Sequence, residues 1–139
     1  MVTTEEETMA QEAARTPGAT RAGNGEYLFD LAKVNHILGG PDYSTANGAC
    51  VEGDRMIVGL MRMKAGTGAE PHSHPNEQWI YVLEGTFRAN IDGKEIDVTP
   101  GSVVYIPANT VHAGKATTDG DVVFFTVKDA SHSLHGIKA

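Results

Sequence analysis

Between Gly66 and Gly85 the chain reads GTGAEPHSHPNEQWIYVLEG, and this stretch narrows the possible folds more than any other. His72 and His74 stand two apart, and a β-strand sends residues i and i+2 to one face, so both imidazoles can turn toward a single point. Pro75 and Asn76 mark a turn, after which Gln78 opens an apolar run. A later stretch, Gly101 to His112 (GSVVYIPANTVH), ends in another histidine on the approach to a further apolar strand. His72, His74, Gln78 and His112 thus come from three places in the chain, and where they meet they offer a cation three imidazoles and an amide oxygen. An isolated His-x-His pair arises by chance and carries little weight alone; its surroundings give it meaning.

Those surroundings resemble the two signatures of the cupin family. In the first, a glycine is followed by His-x-His, an acidic or amide ligand and a closing glycine, and Gly66, His72, His74, Gln78 and Gly85 fill that register. In the second, Gly101, Pro107 and His112 are in place. Fifteen residues separate Gly85 from Gly101, similar to the spacing of compact single-domain cupins. Three positions depart from the pattern. The family's usual glutamate ligand is Gln78, with Glu77 one residue earlier and so on the opposite strand face. The glycine expected two residues after Pro107 is Asn109, a residue that tolerates left-handed backbone. The closing asparagine of the second signature is Ala116.

Length and turn density agree with this resemblance. The 139 residues suit one domain with one core. Sixteen glycines and frequent turn dipeptides favour short strands, and about eight strands with turns every eight to twelve residues read as an all-β, closed double-sheet jelly roll, the double-stranded β-helix of cupins. The formal charge of −7 opposes binding to nucleic acid or an anionic membrane, although Glu5, Glu6, Glu7 and Glu12 carry much of it. Nothing resembles a basic helix-turn-helix. The lone Cys50 excludes an internal disulfide and reads as a small apolar residue. With no apolar run near the N-terminus, the expected compartment is a reducing cytoplasm.

In chain order, residues 1–25 are expected to be a disordered tail, with a helical turn or two from Glu5 to Ala14, and residues 26–130 the domain. Tyr27, Phe29 and Leu31 alternate, predicting an edge strand; His36 after it reads as an ordinary surface histidine. In Arg55 to Lys64 the odd positions form the apolar face, placing Gly59 beside the metal and Met61 in the pocket wall. Parity turns Gln78, Ile80 and Val82 inward and leaves Trp79 and Tyr81 outward, a pattern that fits a homodimer interface or a covering strand. Asp92-Gly93 signals a hairpin. Val122 to Val127 is the last strand and gives the pocket one of the pair Phe124 and Phe125, here taken as Phe124. Residues 131–139, with His132 and His135, are expected to be a flexible tail.

Three neutral imidazoles and an amide would leave a divalent ion its full charge, making it a stronger Lewis acid than the family's glutamate-bearing site. Fe(II), Mn(II), Ni(II), Co(II) or Zn(II) all suit these donors. No second acid or base is singled out as one that must sit inside, and Tyr43, Glu70, His36 and the tail histidines are candidates only where they fold over the mouth. The three-histidine, one-glutamine pattern is similar to that of small cupins acting on unsaturated sugar acids, polyketide or prephenate-derived rings and cyanohydrins. The resemblance therefore implies a metal-dependent lyase, cyclase or isomerase acting on a carbonyl, enol or carboxylate-bearing small molecule. An Fe(II) or Ni(II) dioxygenase of an enol or diketone, and a non-enzymatic binding module for a small ligand, are the alternatives.

Overall fold

The computed structural model describes residues 14–139, and the described residues contain strands, turns and no helix. Twelve strands run in chain order: β1 (Thr20–Arg21), β2 (His36–Leu38), β3 (Asn47–Glu52), β4 (Met56–Met63), β5 (Gly68–Ser73), β6 (Gln78–Glu84), β7 (Phe87–Ile91), β8 (Lys94–Val98), β9 (Val103–Ile106), β10 (His112–Ala116), β11 (Val122–Asp129) and β12 (Ile137–Lys138). They form a seven-stranded sheet ordered β1-β3-β4-β11-β6-β9, with β2 also on β3, and a five-stranded sheet ordered β12-β5-β10-β7-β8. This is the jelly roll expected from the sequence, but the two sheets remain separate and open, so the expectation of a closed barrel is corrected. Each sheet keeps its own edges, and among the described residues one isolated bridge, from Ser44 to Ala69 of β5, lies outside the strand ladders.

Period-two burial builds the core between the sheets. On β4, Ile57, Met61 and Met63 are buried while Arg62 points out; on β6, Gln78, Ile80 and Val82 are buried between Trp79, Tyr81 and Leu83 on the outside. The β4–β11–β6 register then sets Met61 opposite Phe124 and Phe124 opposite Val82, joining three strands in one apolar layer. Turn residues fix the corners. Asp92 (φ 51°) and Gly93 (φ 80°) close the β7–β8 hairpin with the paired left-handed conformations that such turns require. Asn109 takes φ 62°, so the turn after Pro107 survives without its glycine.

Three expectations about the ends change. Residues 1–13, with most of the expected helical turn, lie outside the described residues. Beyond them the chain is not a free tail: Thr16 is buried against Glu52, whose carboxylate accepts from the Arg15 and Thr16 amides, and β1 pairs with β3. The Tyr27–Leu31 alternation makes no strand. Tyr27 is 95% exposed, and Asp30 turns the chain by accepting from the Ala32 amide through its side chain and from the Lys33 amide through its carbonyl. At the other end Leu134 is buried and β12 pairs with β5, so the C-terminal segment is laid along the edge of the five-stranded sheet, not left loose. No strand among the described residues covers Trp79 and Tyr81; with Val103 and Tyr105 they form an exposed apolar face.

Candidate metal centre

The site joins the two sheets. On the five-stranded side, antiparallel pairing of β10 with β5 puts His112 directly opposite His72, and His74 follows just beyond β5 on the same face as His72. On the seven-stranded side, Gln78 opens β6 with its side chain inward. The sequence places these four groups together and the structure does the same. His72, His74 and His112 are all buried, and one ring nitrogen from each lies within 4.8 Å of the others.

Each ring is oriented by the main chain. Nδ1 of His72, His74 and His112 lies 2.7, 2.7 and 2.8 Å from the carbonyl oxygens of Glu70, Asn76 and Thr110. A carbonyl can only accept, so Nδ1 carries the proton in each neutral ring, and each Nε2 is left with a bare lone pair. Gln78 is oriented in series: the Thr126 hydroxyl donates to the Trp79 carbonyl (3.1 Å), and the Gln78 amide nitrogen donates to the Thr126 oxygen (2.8 Å). The amide oxygen therefore faces His74 Nε2 at 3.1 Å, an approach of two acceptors. His112 Nε2 is buried with no hydrogen-bond partner.

These observations fit a metal. A buried acceptor with no donor is costly, and four acceptors aimed at one point are satisfied together by a cation. The carbonyl-bound Nδ1–H groups and the Thr126–Gln78 chain supply the outer support that metal-binding imidazoles and amides characteristically have. Burial is the main cause that lowers the basicity of the rings, to about 3 for His72 and about 4 for His74, with His112 also lowered. Lys128 and neighbouring rings add to it by charge. The imidazoles are thus neutral at physiological pH, the state in which they can ligate.

A cavity of 60 Å³ opens beside the cluster, walled chiefly by Met61, Met63, Ile80, Phe87 and Phe124. Of the five expected pocket residues, Met61, Ile80 and Phe124 line it. Val82 is fully buried on the same face but is not among the lining residues. Gly59 does not line it either. A Cβ there would meet the Ala49 carbonyl oxygen at 3.4 Å and the Met61 sulfur and Thr126 methyl at 3.5 Å, ordinary contact distances, so its surroundings are these neighbours and not the cavity.

Lys128 is an inward ionisable residue that the sequence reading did not single out. It lies on the inward face of β11, is 4% exposed and lines the same cavity. Its signal was parity, since Phe124, Thr126 and Lys128 share a face. Tyr43 is a buried wall residue, stacked on His72 at 4.1 Å between ring centroids, and its hydroxyl accepts from the Gly136 amide at 2.7 Å. The other candidates for the mouth stay outside: His36, Glu70 and His132 are exposed, and His135 Nε2 lies 2.9 Å from the Leu38 carbonyl.

A two-sheet jelly roll with three converging histidines defines the class. The chain belongs to the cupin family: the family model, described as cupin domain, matches residues 59–128. It is 25% identical over 97 residues to quercetin 2,3-dioxygenase of Bacillus subtilis, covering 70% of this chain and 27% of that one. It is 29% identical over 83 residues to a dimethylsulfoniopropionate lyase of Ruegeria pomeroyi, covering 60% and 53%. The chain thus spans about a quarter and about half the length of these relatives. The solved structure of a polyketide cyclase from Streptomyces resistomycificus superposes with a TM-score of 0.66 at 21% identity, covering 76% of this chain and 80% of that one. No helix among the described residues is long and apolar enough to cross a membrane.

Proposed function

We propose that this protein is a metal-dependent enzyme acting on a small molecule, with His72, His74, His112 and Gln78 holding one divalent transition ion, and that its chemistry is of the lyase, cyclase or isomerase type. The observation that carries the reading is the donor set: three pinned imidazoles and one pinned amide oxygen, all uncharged, beside an apolar cavity. A divalent ion bound there supplies Lewis-acid activation of a carbonyl, enol or carboxylate oxygen. The chain's own residues do the rest. The Thr126–Gln78 chain holds the amide oxygen in place, Tyr43 buttresses His72, and Met61, Ile80 and Phe124 exclude water from a small ligand. The exposed Trp79–Tyr105 face supports action as a homodimer, and the single buried Cys50 agrees with a reducing, cytoplasmic setting.

A second reading, oxidative cleavage of an enol or diketone by an Fe(II) or Ni(II) protein, is supported by the likeness to quercetin 2,3-dioxygenase. Elemental analysis of protein purified without chelator or metal-binding tag is expected to give one equivalent of a divalent transition metal. A protein free of such metal and indifferent to its addition overturns both readings. Turnover of enol, diketone and unsaturated-acid substrates with and without oxygen separates them: activity that persists anaerobically excludes the dioxygenase.

A further inference from the structure

Building on that reading of a small-molecule site, we infer that Lys128 is the anchor for a substrate carboxylate, so that the cavity takes small monocarboxylates held between the Lys128 ammonium and the three-histidine cluster. Lys128 occupies the last inward position of β11, between Ile57 on β4 and Gln78 on β6. Lysine is among the residues least often fully buried, and a buried ammonium is expensive unless paired. Among the described residues no protein anion pairs with it. Lys128 belongs to none of the five ion pairs among the described residues. Asp129 faces away and accepts from the Glu77 and Ser131 amides, while buried Glu52 is engaged by Arg15 and Thr16. The Cys50 thiol, pushed up to about 12 chiefly by burial, supplies no charge either.

Of its three N–H groups, Lys128 gives one to the Leu134 carbonyl. A neutral amide side chain could serve that carbonyl as well, so the contact does not account for a charge. Apart from the imidazoles and the Tyr43 phenol, Lys128 is the one ionisable side chain lining the cavity. One ammonium balances one negative charge, which points to a monocarboxylate. A cavity of 60 Å³ holds about four to six non-hydrogen atoms by the space each water needs.

The test titrates propionate and its neutral isostere propionamide into the full chain, chelator-treated and Zn(II)-reconstituted, for wild type, Lys128→Met and Lys128→Gln. The metal-free wild type is expected to prefer propionate by about tenfold or more, the range of a hydrogen bond to a charged group. Both variants are expected to lose that preference and to keep their Zn(II) stoichiometry. Lys128→Met removes the cost of a buried charge but also the donor to the Leu134 carbonyl; should it not fold, Lys128→Gln, which can still donate there, decides. In the wild type, propionate is expected to shift the Lys128 Cε resonance. No preference in wild type, a preference that survives in either folded variant, or an unmoved Cε resonance overturns the anchor. Failure to bind Zn(II) with the metal-free preference intact removes the metal reading and leaves the anchor standing, so the two failures are distinct.

Discussion

The chain carries two close pairs of histidines, His72 with His74 and His132 with His135, and only the first joins a cluster. His72 and His74 are buried, each ring is held through Nδ1 by a carbonyl two residues away, and both meet His112 across a strand pair. His132 is exposed, and its Nδ1 lies 3.3 Å from the neighbouring Ser131 hydroxyl; His135 points its Nε2 at the Leu38 carbonyl. The metal-type cluster found among the described residues is His72, His74 and His112. Spacing alone therefore does not make a ligand pair. A strand that aims the side chains, a main-chain acceptor that fixes the tautomer and a third donor from another strand separate the two cases.

Removing a cluster imidazole is the harshest way to break this contrast. His72→Ala or His112→Ala is expected to lose most of the bound metal, whereas His132→Ala and His36→Ala keep it; elemental analysis of the four proteins reads the result, and metal lost from His132→Ala would erase the distinction. A milder perturbation removes support and leaves all ligands. Thr126→Val frees the Gln78 amide and should weaken metal binding about 10- to 100-fold in a chelator competition. Unchanged affinity there would mean that the amide's orientation is immaterial.

Acid should also tell the pairs apart. In the folded, metal-free protein His72 and His74 are lowered to about 3 and about 4, below the roughly 6.5 of an unfolded chain. Between those values the unfolded chain binds more protons, so the stability held by the neutral rings is complete above about 6.5 and falls as pH drops toward 4. Thermal melts of chelator-treated protein should show this slope, reduced in His74→Gln and unaltered in His132→Gln. Gln78→Glu should retain metal and move the pH–activity profile upward, because a carboxylate cancels part of the ion's charge; an unmoved profile would argue against the importance of a neutral donor set. The smallest effect expected is that of Tyr43→Phe. It keeps the ring stacked on His72 but leaves the Gly136 amide without its acceptor, for a loss of about 1 kcal/mol in denaturant unfolding.

Much of the fold was legible because strand parity is a local property. The inward faces of β4 and β6, the Asp92-Gly93 hairpin and the left-handed Asn109 could all be read from neighbouring residues. The ends could not, since Thr16 is ordered by Glu52 from β3 and by the Leu134 amide, partners far away in sequence. The Tyr27–Leu31 alternation misled for the converse reason: it has the period of a strand, but the Asp30 turn interrupts it. The four cluster residues were legible through their spacing and the family resemblance. Lys128 was not singled out: lysine at the end of a strand ordinarily reaches solvent, and the signal available was its parity with Phe124 and Thr126. Gly59 borders Ala49, Met61 and Thr126 and not the cavity, a placement that strand parity alone does not fix.

Each of the three rings is fixed at Nδ1 by a peptide oxygen. Anyone reshaping the chamber can therefore exchange Met61, Ile80 or Phe124 for other apolar residues without touching the groups that steer the nitrogens. On the proposed reading, substrate preference could thus be varied through the apolar wall while the centre itself is held constant.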